Sequence, residues 1–256
     1  MPYESLWIYP VFLVTGLVAG WVDSIAGGGG LITIPVLLAS GLPPQMVLGT
    51  NKFQASFGSF TAAAYYTNRG IVPLADAWLG IAMTLAGAVA GTCAVQLINP
   101  DLLGWIIPFL LLAIALYMLF SPSAGLREGP PRMKRSGFYA LFGLGLGFYD
   151  GFFGPGVGSF WAVAFVSVMG FSLVTATGYT KVMNFTSNLV SFLVFLAGGH
   201  VFFGAALSMA AGQVLGARIG SKLVIRRGSA VIRPILIGVV VLTTLKLIYN
   251  RLAAGM

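Results

Sequence analysis

Long apolar runs separated by short polar breaks make up the whole chain, and two of the runs are interrupted by glycine just after a carboxylate. The first, Leu6 to Ile25, runs into Asp23-Ser24-Ile25-Ala26-Gly27-Gly28-Gly29-Gly30, and hydrophobicity resumes over Leu31 to Ser40. Ten residues make a helix of only about 15 Å, half a bilayer. After the turn Gly41-Leu42-Pro43-Pro44, spans are predicted over Met46 to Tyr66, Ala77 to Ile98 and Leu102 to Phe120, the first carrying Lys52 inside it. Ser121 to Ser136 is a linker, and then the pattern restarts. Phe138 to Tyr149 leads into Asp150-Gly151-Phe152-Phe153-Gly154-Pro155-Gly156-Val157-Gly158, a short run covers Val157 to Met169, and Leu173 to Ala197 spans with Lys181 inside. Val201 to Leu223, a basic loop Arg226 to Arg233, and a last span Ile235 to Tyr249 follow.

A helix broken by glycine is tolerated at membrane depth only where the freed backbone is buried in protein or lines a wet cavity. Two such breaks, at corresponding places in two halves, point to a transporter's binding site. Corresponding features recur in the same order at a near-constant offset: Asp23 and Asp150, Lys52 and Lys181, Gly87-x-x-x-Gly91 and Gly212-x-x-x-Gly216. The expected domains are a first transmembrane repeat over 1–120, a cytoplasmic basic linker over 121–136 and a second repeat over 137–256.

Composition narrows the class. Hydrophobic residues make up 58% and charged residues 8%, with a mean hydropathy of +0.94. Soluble domains carry roughly 25% charged residues, so the chain reads as an all-α integral membrane protein. Its net charge of +8 comes mainly from bases between spans, which orient a membrane protein and give no reason to expect nucleic acid. Cys93 is alone, which leaves no disulfide framework or cysteine metal site. His200 has no second ligand residue beside it and is expected to be solvated. The N-terminal sequence lacks the basic start and cleavage site of a signal peptide, so the first apolar segment is expected to be retained.

Loop charge selects a topology. Arg127, Arg132, Lys134 and Arg135 put the linker in the cytoplasm. If Phe138 to Met169 crossed the membrane, the Arg226 to Arg233 loop would lie outside, against the same rule. A re-entrant hairpin satisfies it. Each half is then one broken or re-entrant hairpin plus three crossings, and an odd number of crossings makes a polytopic bundle of two inverted repeats with both termini outside. Arg251 opposes that last placement.

The candidate chemistry sits inside the apolar segments. Asp23 and Asp150 are the acidic residues there, and Lys52 and Lys181 the bases. A charge at the bilayer centre costs about 3 kcal/mol or more, so such residues face the bundle interior and find partners. One expectation is a structural Asp–Lys pair within each half; the other is lysines that hold an anion and aspartates that bind a coupling ion. Burial raises a carboxylate's pKa and a nearby cation lowers it, so both roles can coexist. The half-helices beginning near Gly28, Gly29, Gly30, Gly156 and Gly158 direct N–H groups and a positive dipole end inward. Thr50, Asn51, Gln54, Thr180 and Asn184, with Ser187 and Asn188, add hydrogen-bonding groups to an oxyanion site. Gly143-x-Gly145-x-Gly147 lacks dinucleotide spacing. Gly16-x-x-x-Gly20, Gly87-x-x-x-Gly91 and Gly212-x-x-x-Gly216-x-x-x-Gly220 read as close-packing faces within the molecule rather than as a dimer face, although a homodimer remains compatible with them.

The run from Gly20-Trp21-Val22-Asp23 through Gly30-Leu31-Ile32-Thr33-Ile34-Pro35, followed by Gly49-Thr50-Asn51-Lys52, resembles the TauE/SafE family of membrane transporters. The second half is similar more loosely, through Asp150 to Gly156 and Thr180-Lys181. The resemblance implies a bacterial or archaeal inner-membrane carrier of sulfur-containing anions such as sulfite, sulfoacetate or other organosulfonates, not an enzyme. With no ATP-binding motif, a proton or sodium ion is the expected coupling partner and no cofactor is expected. The alternatives are an anion channel and a non-transporting scaffold subunit.

Overall fold

The computed structural model describes residues 6–120 and 129–227. The linker residues around Arg127, the basic residue Arg233 and the predicted last span lie outside the described residues. Within them the chain is helical, without strands: α1 (Ile8–Ala26), α2 (Gly29–Ala39), α3 (Pro44–Thr67), α4 (Leu74–Gln96), α5 (Pro100–Phe120), α6 (Arg135–Phe138), a π-helical turn (Tyr139–Gly143), α7 (Leu144–Phe152), α8 (Val157–Met169), α9 (Leu173–Ala197) and α10 (Phe203–Arg227). Three described helices, α1, α4 and α9, are both long and apolar enough to cross a membrane. The second broken segment starts earlier than its hydrophobicity suggests, at Arg135. Asp76 falls in the first turn of α4, where an acid complements the helix dipole, rather than in a loop.

Glycine seams fix the packing. α1 and α10 run parallel: a Cβ on Gly16 would lie 2.1 Å from the Met209 carbonyl oxygen, one on Gly212 2.1 Å from that of Leu13, and one on Gly216 2.0 Å from that of Leu17. Helices α7 and α4 do the same, with Gly87 against Leu144, Gly91 against Phe148 and Gly151 against Ala88. Small residues let helix backbones approach closely where lipid supplies no hydrophobic drive for association. All three predicted small-residue faces are therefore used inside the molecule. Gly143 and Gly147, from the superficially nucleotide-like run, also pack on α4, at Met83 and Thr84.

The ends of the elements sort into two sets. At one end, the start of α3 meets the end of α9, with Gly49 against the His200 carbonyl and Phe202 N–H donating to Thr50 Oγ1 at 3.0 Å. Gln45 Nε2 donates to the Ile98 carbonyl at 3.3 Å, adding the end of α4, and Ser208 Oγ donates to the Tyr9 carbonyl at 2.8 Å, adding the start of α1. At the other end, Arg132 N–H donates to the Val168 carbonyl at 2.7 Å, tying the residues before α6 to the end of α8. Arg135 pairs with Asp76 at 3.2 Å, and this hydrogen bond pushes the guanidinium pKa up. Both groups are about half exposed, so the pair contributes little stability, on the order of 0–1 kcal/mol. Each broken segment thus enters and leaves at one end of the molecule, and the two do so at opposite ends.

Two apolar clusters fill the interior. One gathers Phe12, Ile34, Val47, Phe195 and Met209; the other gathers Tyr66, Trp161, Phe165, Tyr179 and Met183. Between them α3 and α9 bury Asn51, Lys52, Gln54, Lys181, Asn184 and Ser187. Large apolar side chains such as Val14, Phe60, Trp78, Leu193 and Leu215 face outward, the distribution of a helical bundle surrounded by lipid.

Candidate functional site

The two helix breaks meet between the apolar clusters. Gly27, with φ +70°, lies so close to Gly158 that a Cβ on it would fall 2.5 Å from the Gly158 Cα. Ser159 Oγ donates to the carbonyls of Ala26 and Gly27 at 2.9 and 3.0 Å, so the second break satisfies carbonyls freed by the first. Pro155 packs over Gly30.

Charge is paired across the halves, not within them. Lys52 Nζ lies 2.6 Å from Asp150 Oδ1, and Lys181 Nζ lies 3.0 Å from Asp23 Oδ2. This corrects the expected within-half pairs. The reason is geometric: the two breaks meet at Gly27 and Gly158, which sets each aspartate beside the lysine of the opposite half. Each lysine also donates to the main-chain carbonyl of the aspartate it pairs with, Lys52 to Asp150 and Lys181 to Asp23. An ammonium thereby sits on the carbonyl end of each first half-helix, where the dipole favours a cation.

The two pairs are not equivalent. Asp150 and Lys52 are both buried, and Asp150 Oδ2 also accepts from Ser187 Oγ. Asp23 is 23% exposed, and its Oδ1 accepts from the N–H groups of Gly28 and Gly29 at 3.2 and 3.3 Å. Its carboxylate therefore covers the positive end of α2 while it holds Lys181. Asp150 makes no such bond to α8 among the described residues.

A cavity of about 30 Å³ lies at this junction, room for about two waters. Its lining brings together Asp23, Gly28, Gly29, Gly30, Asn51, Lys52, Asp150, Gly156, Gly158 and Asn184 from the sequence expectations. Thr50, Gln54, Thr180 and Lys181 are not in the lining. Thr50 accepts from Phe202, Gln54 Nε2 donates to Asn51 Oδ1 at 2.8 Å, Thr180 Oγ1 is buried without a partner among the described residues, and Lys181 is covered by Asp23. Asn51 Oδ1 accepts from Thr33 Oγ1 as well, at 2.5 Å, which leaves the Asn51 amide nitrogen for the cavity. Asn184 Oδ1 is buried with no donor among the described residues.

Gln213 was missed by sequence reasoning. It lies in the lining from α10, buried, with its Oε1 against Gly58 and Gly20. A lone amide in a small-residue stripe gives a faint signal, but the glycines at Gly20 and Gly58 are what make room for it. His200 is also corrected: it is half-buried, with Nδ1 3.1 Å from Gln96 Oε1. No cluster of three or more metal-ligating side chains occurs among the described residues.

Apolar helices around paired charges and broken half-helices define a helical membrane transporter rather than an enzyme. Sequence comparison agrees. The family model described as sulfite exporter TauE/SafE matches residues 12–247, and the chain belongs to that family. It is 44% identical over 245 residues to a probable membrane transporter protein of Haemophilus influenzae, covering 94% of each chain. It is 45% identical over 240 residues to the probable membrane transporter protein YfcA of Escherichia coli K12, covering 94% of this chain and 89% of that one. YunE of Bacillus subtilis, also a probable membrane transporter protein, is 23% identical over 267 residues. No solved structure matches the chain.

Proposed function

We propose that this protein is a secondary carrier for a small sulfur-containing oxyanion, sulfite or an organosulfonate such as sulfoacetate, working in the inner membrane with a coupled ion. The observation that carries this is the cavity between the helix breaks: a polar, charge-balanced space enclosed by two apolar clusters. The amides of Asn51, Asn184, Asn188 and Gln213 line it, and neutral donors of this kind suit an oxyanion. The family's description supplies the sulfur class.

Two inverted repeats account for the arrangement of the elements. Helices α3 and α9 are repeat mates, and the start of each lies by the end of the other: Gly49 against Phe195 and His200, Gly178 against Tyr66. The hairpins enter from opposite ends. Such a pair can rock about the central site to expose it alternately. Coupling to a proton is favoured over sodium, because the lysine ammonium groups already occupy the carbonyl ends where a sodium ion would bind.

The test is counterflow in proteoliposomes with labelled sulfite, sulfoacetate and a non-sulfur carboxylate. A carrier gives saturable uptake accelerated by unlabelled anion on the far side. Non-saturating flux without that acceleration would point to a channel, and no flux of any of these anions would remove the transport role proposed here.

A further inference from the structure

Asp23 is bonded in a way its repeat mate is not. One carboxylate oxygen takes the two free N–H groups at the start of α2, and the other takes the Lys181 ammonium. Two N–H groups at a helix start and one ammonium are the donors an oxyanion site is built from. Here a side-chain carboxylate fills it. The same cavity holds Asn184, buried, with its amide nitrogen beside Gly158 and its Oδ1 without a donor among the described residues, and Asn188, for which no hydrogen bond forms among them.

We propose that the Asp23 carboxylate occupies the seat of the transported oxyanion, so that the anion binds there only together with a proton on Asp23. The inference rests on the transport reading above and deepens it. Charge balance is the reason. The cavity region holds two carboxylates and two ammonium groups, all paired. An anion entering without a proton would leave two negative groups facing Lys181 in an apolar bundle, where unbalanced charge is costly. With Asp23 neutral, the Gly28 and Gly29 N–H groups and the ammonium pass to the ligand, and the sum of charges returns to its starting value for a monoanion. A sulfonate or sulfate group has more oxygens than the carboxylate it replaces, and the amides beside the seat can take the extra one.

No other titratable group competes for this role. Lys181 faces Asp23 from α9, and Lys52 of α3 and Asp150 of α7 share the cavity but hold each other. Tyr66 of α3 reaches the Ser24 carbonyl at 3.5 Å. From α10 the neutral Gln213 faces the cavity, and α2 and α8 contain no titratable side chain.

The experiment is calorimetry on the purified protein with methanesulfonate and ethanesulfonate, both monoanions from about pH 6 to about pH 8, in buffers of different ionisation enthalpy. Wild type should take up about one proton per anion, with affinity falling about tenfold per pH unit over the range where Asp23 is ionised. Asp23→Asn should bind without proton uptake and with affinity independent of pH. Proton uptake that persists in Asp23→Asn overturns the shared seat, as does pH-independent binding to wild type. Should the variant not fold, wild type decides alone: anion binding must raise a protonated-carboxyl infrared band, and its absence overturns the proposal. Binding of neither anion at any pH also overturns it, whereas the carrier reading is judged separately by counterflow.

Discussion

At the residue scale, the crossed pairs make a prediction that sequence alone would have aimed at the wrong partners. Lys52 and Asp150 are closed off from solvent, so removing either leaves an uncompensated buried charge. Such losses run to about 3–5 kcal/mol, whereas removing both partners costs far less. Lys52→Met and Asp150→Asn should each lower the melting temperature in detergent sharply, and the double variant should recover most of the loss. Lys52→Met with Asp23→Asn should show no such recovery, because the two side chains belong to different pairs. Recovery in that second combination instead would overturn the crossed arrangement. The four charged residues were legible in the sequence because each is an ionisable group inside an apolar run with a counterpart of the same type at the corresponding place in the other half. Their pairing was not, since two acids and two bases separated by helices of similar length fit either combination. The Asp23 cap on Gly28 and Gly29 was closer to legible: a carboxylate one turn before a glycine break can fold back onto the next helix start. What hid it was the competing expectation that those N–H groups were free for ligand.

At the scale of elements, the α1–α10 and α4–α7 seams carry the fold, and the glycines in them are not interchangeable. On α7, a Cβ at Gly151 would lie 2.2 Å from the Ala88 carbonyl oxygen, a backbone atom that cannot step aside. A Cβ at Gly145, six residues earlier and facing outward, would meet nothing within 4 Å. Gly151→Ala should therefore force α7 off α4 and cost several degrees or more in melting temperature. Gly145→Ala should be neutral or stabilising by up to about 1 kcal/mol, the ordinary helix preference. Equal behaviour of the two in thermal unfolding would mean that the seam does not hold α7. The seams were readable as small residues at four-residue spacing, and so were the breaks that divide α1 from α2 and α7 from α8. The π-helical turn at Tyr139–Gly143 was not, because its extra residue per turn leaves an apolar run that looks the same as any helix. The early start at Arg135 was missed for a related reason: a basic first turn contributes no hydrophobicity to the segment it begins.

For the whole molecule, the distribution of basic residues and the route of the chain bear on the same question from independent directions. Arg69, Arg132, Lys134, Arg135, Lys222, Arg226 and Arg227 all belong to the end where α8 finishes and α9 begins, or to the last turns of α10 that lead there. Lys52 and Lys181 lie at the central junction and Arg218 partway along α10, and no described Arg or Lys belongs to the opposite end. Since positive loops stay in the cytoplasm, the entry and exit of the second hairpin would be cytoplasmic and those of the first external. Arg132 bonded to Val168 joins the residues before α6 to the last turn of α8, so the second broken segment begins and ends close together. Accessibility of engineered cysteines in a Cys93→Ala background tests the arrangement. Pro43→Cys and Asn99→Cys should react with an impermeant thiol reagent applied to intact cells, and Asn68→Cys and Arg226→Cys should react only after the membrane is opened. Asn68 and Arg226 are the decisive pair, because they precede and follow the second hairpin. If that segment crossed the bilayer, an odd number of additional passes would separate them, and Arg226→Cys would label from outside while Asn68→Cys stayed protected. That single result would turn α7 and α8 into a transmembrane passage and remove the basis for opposed hairpins around the cavity.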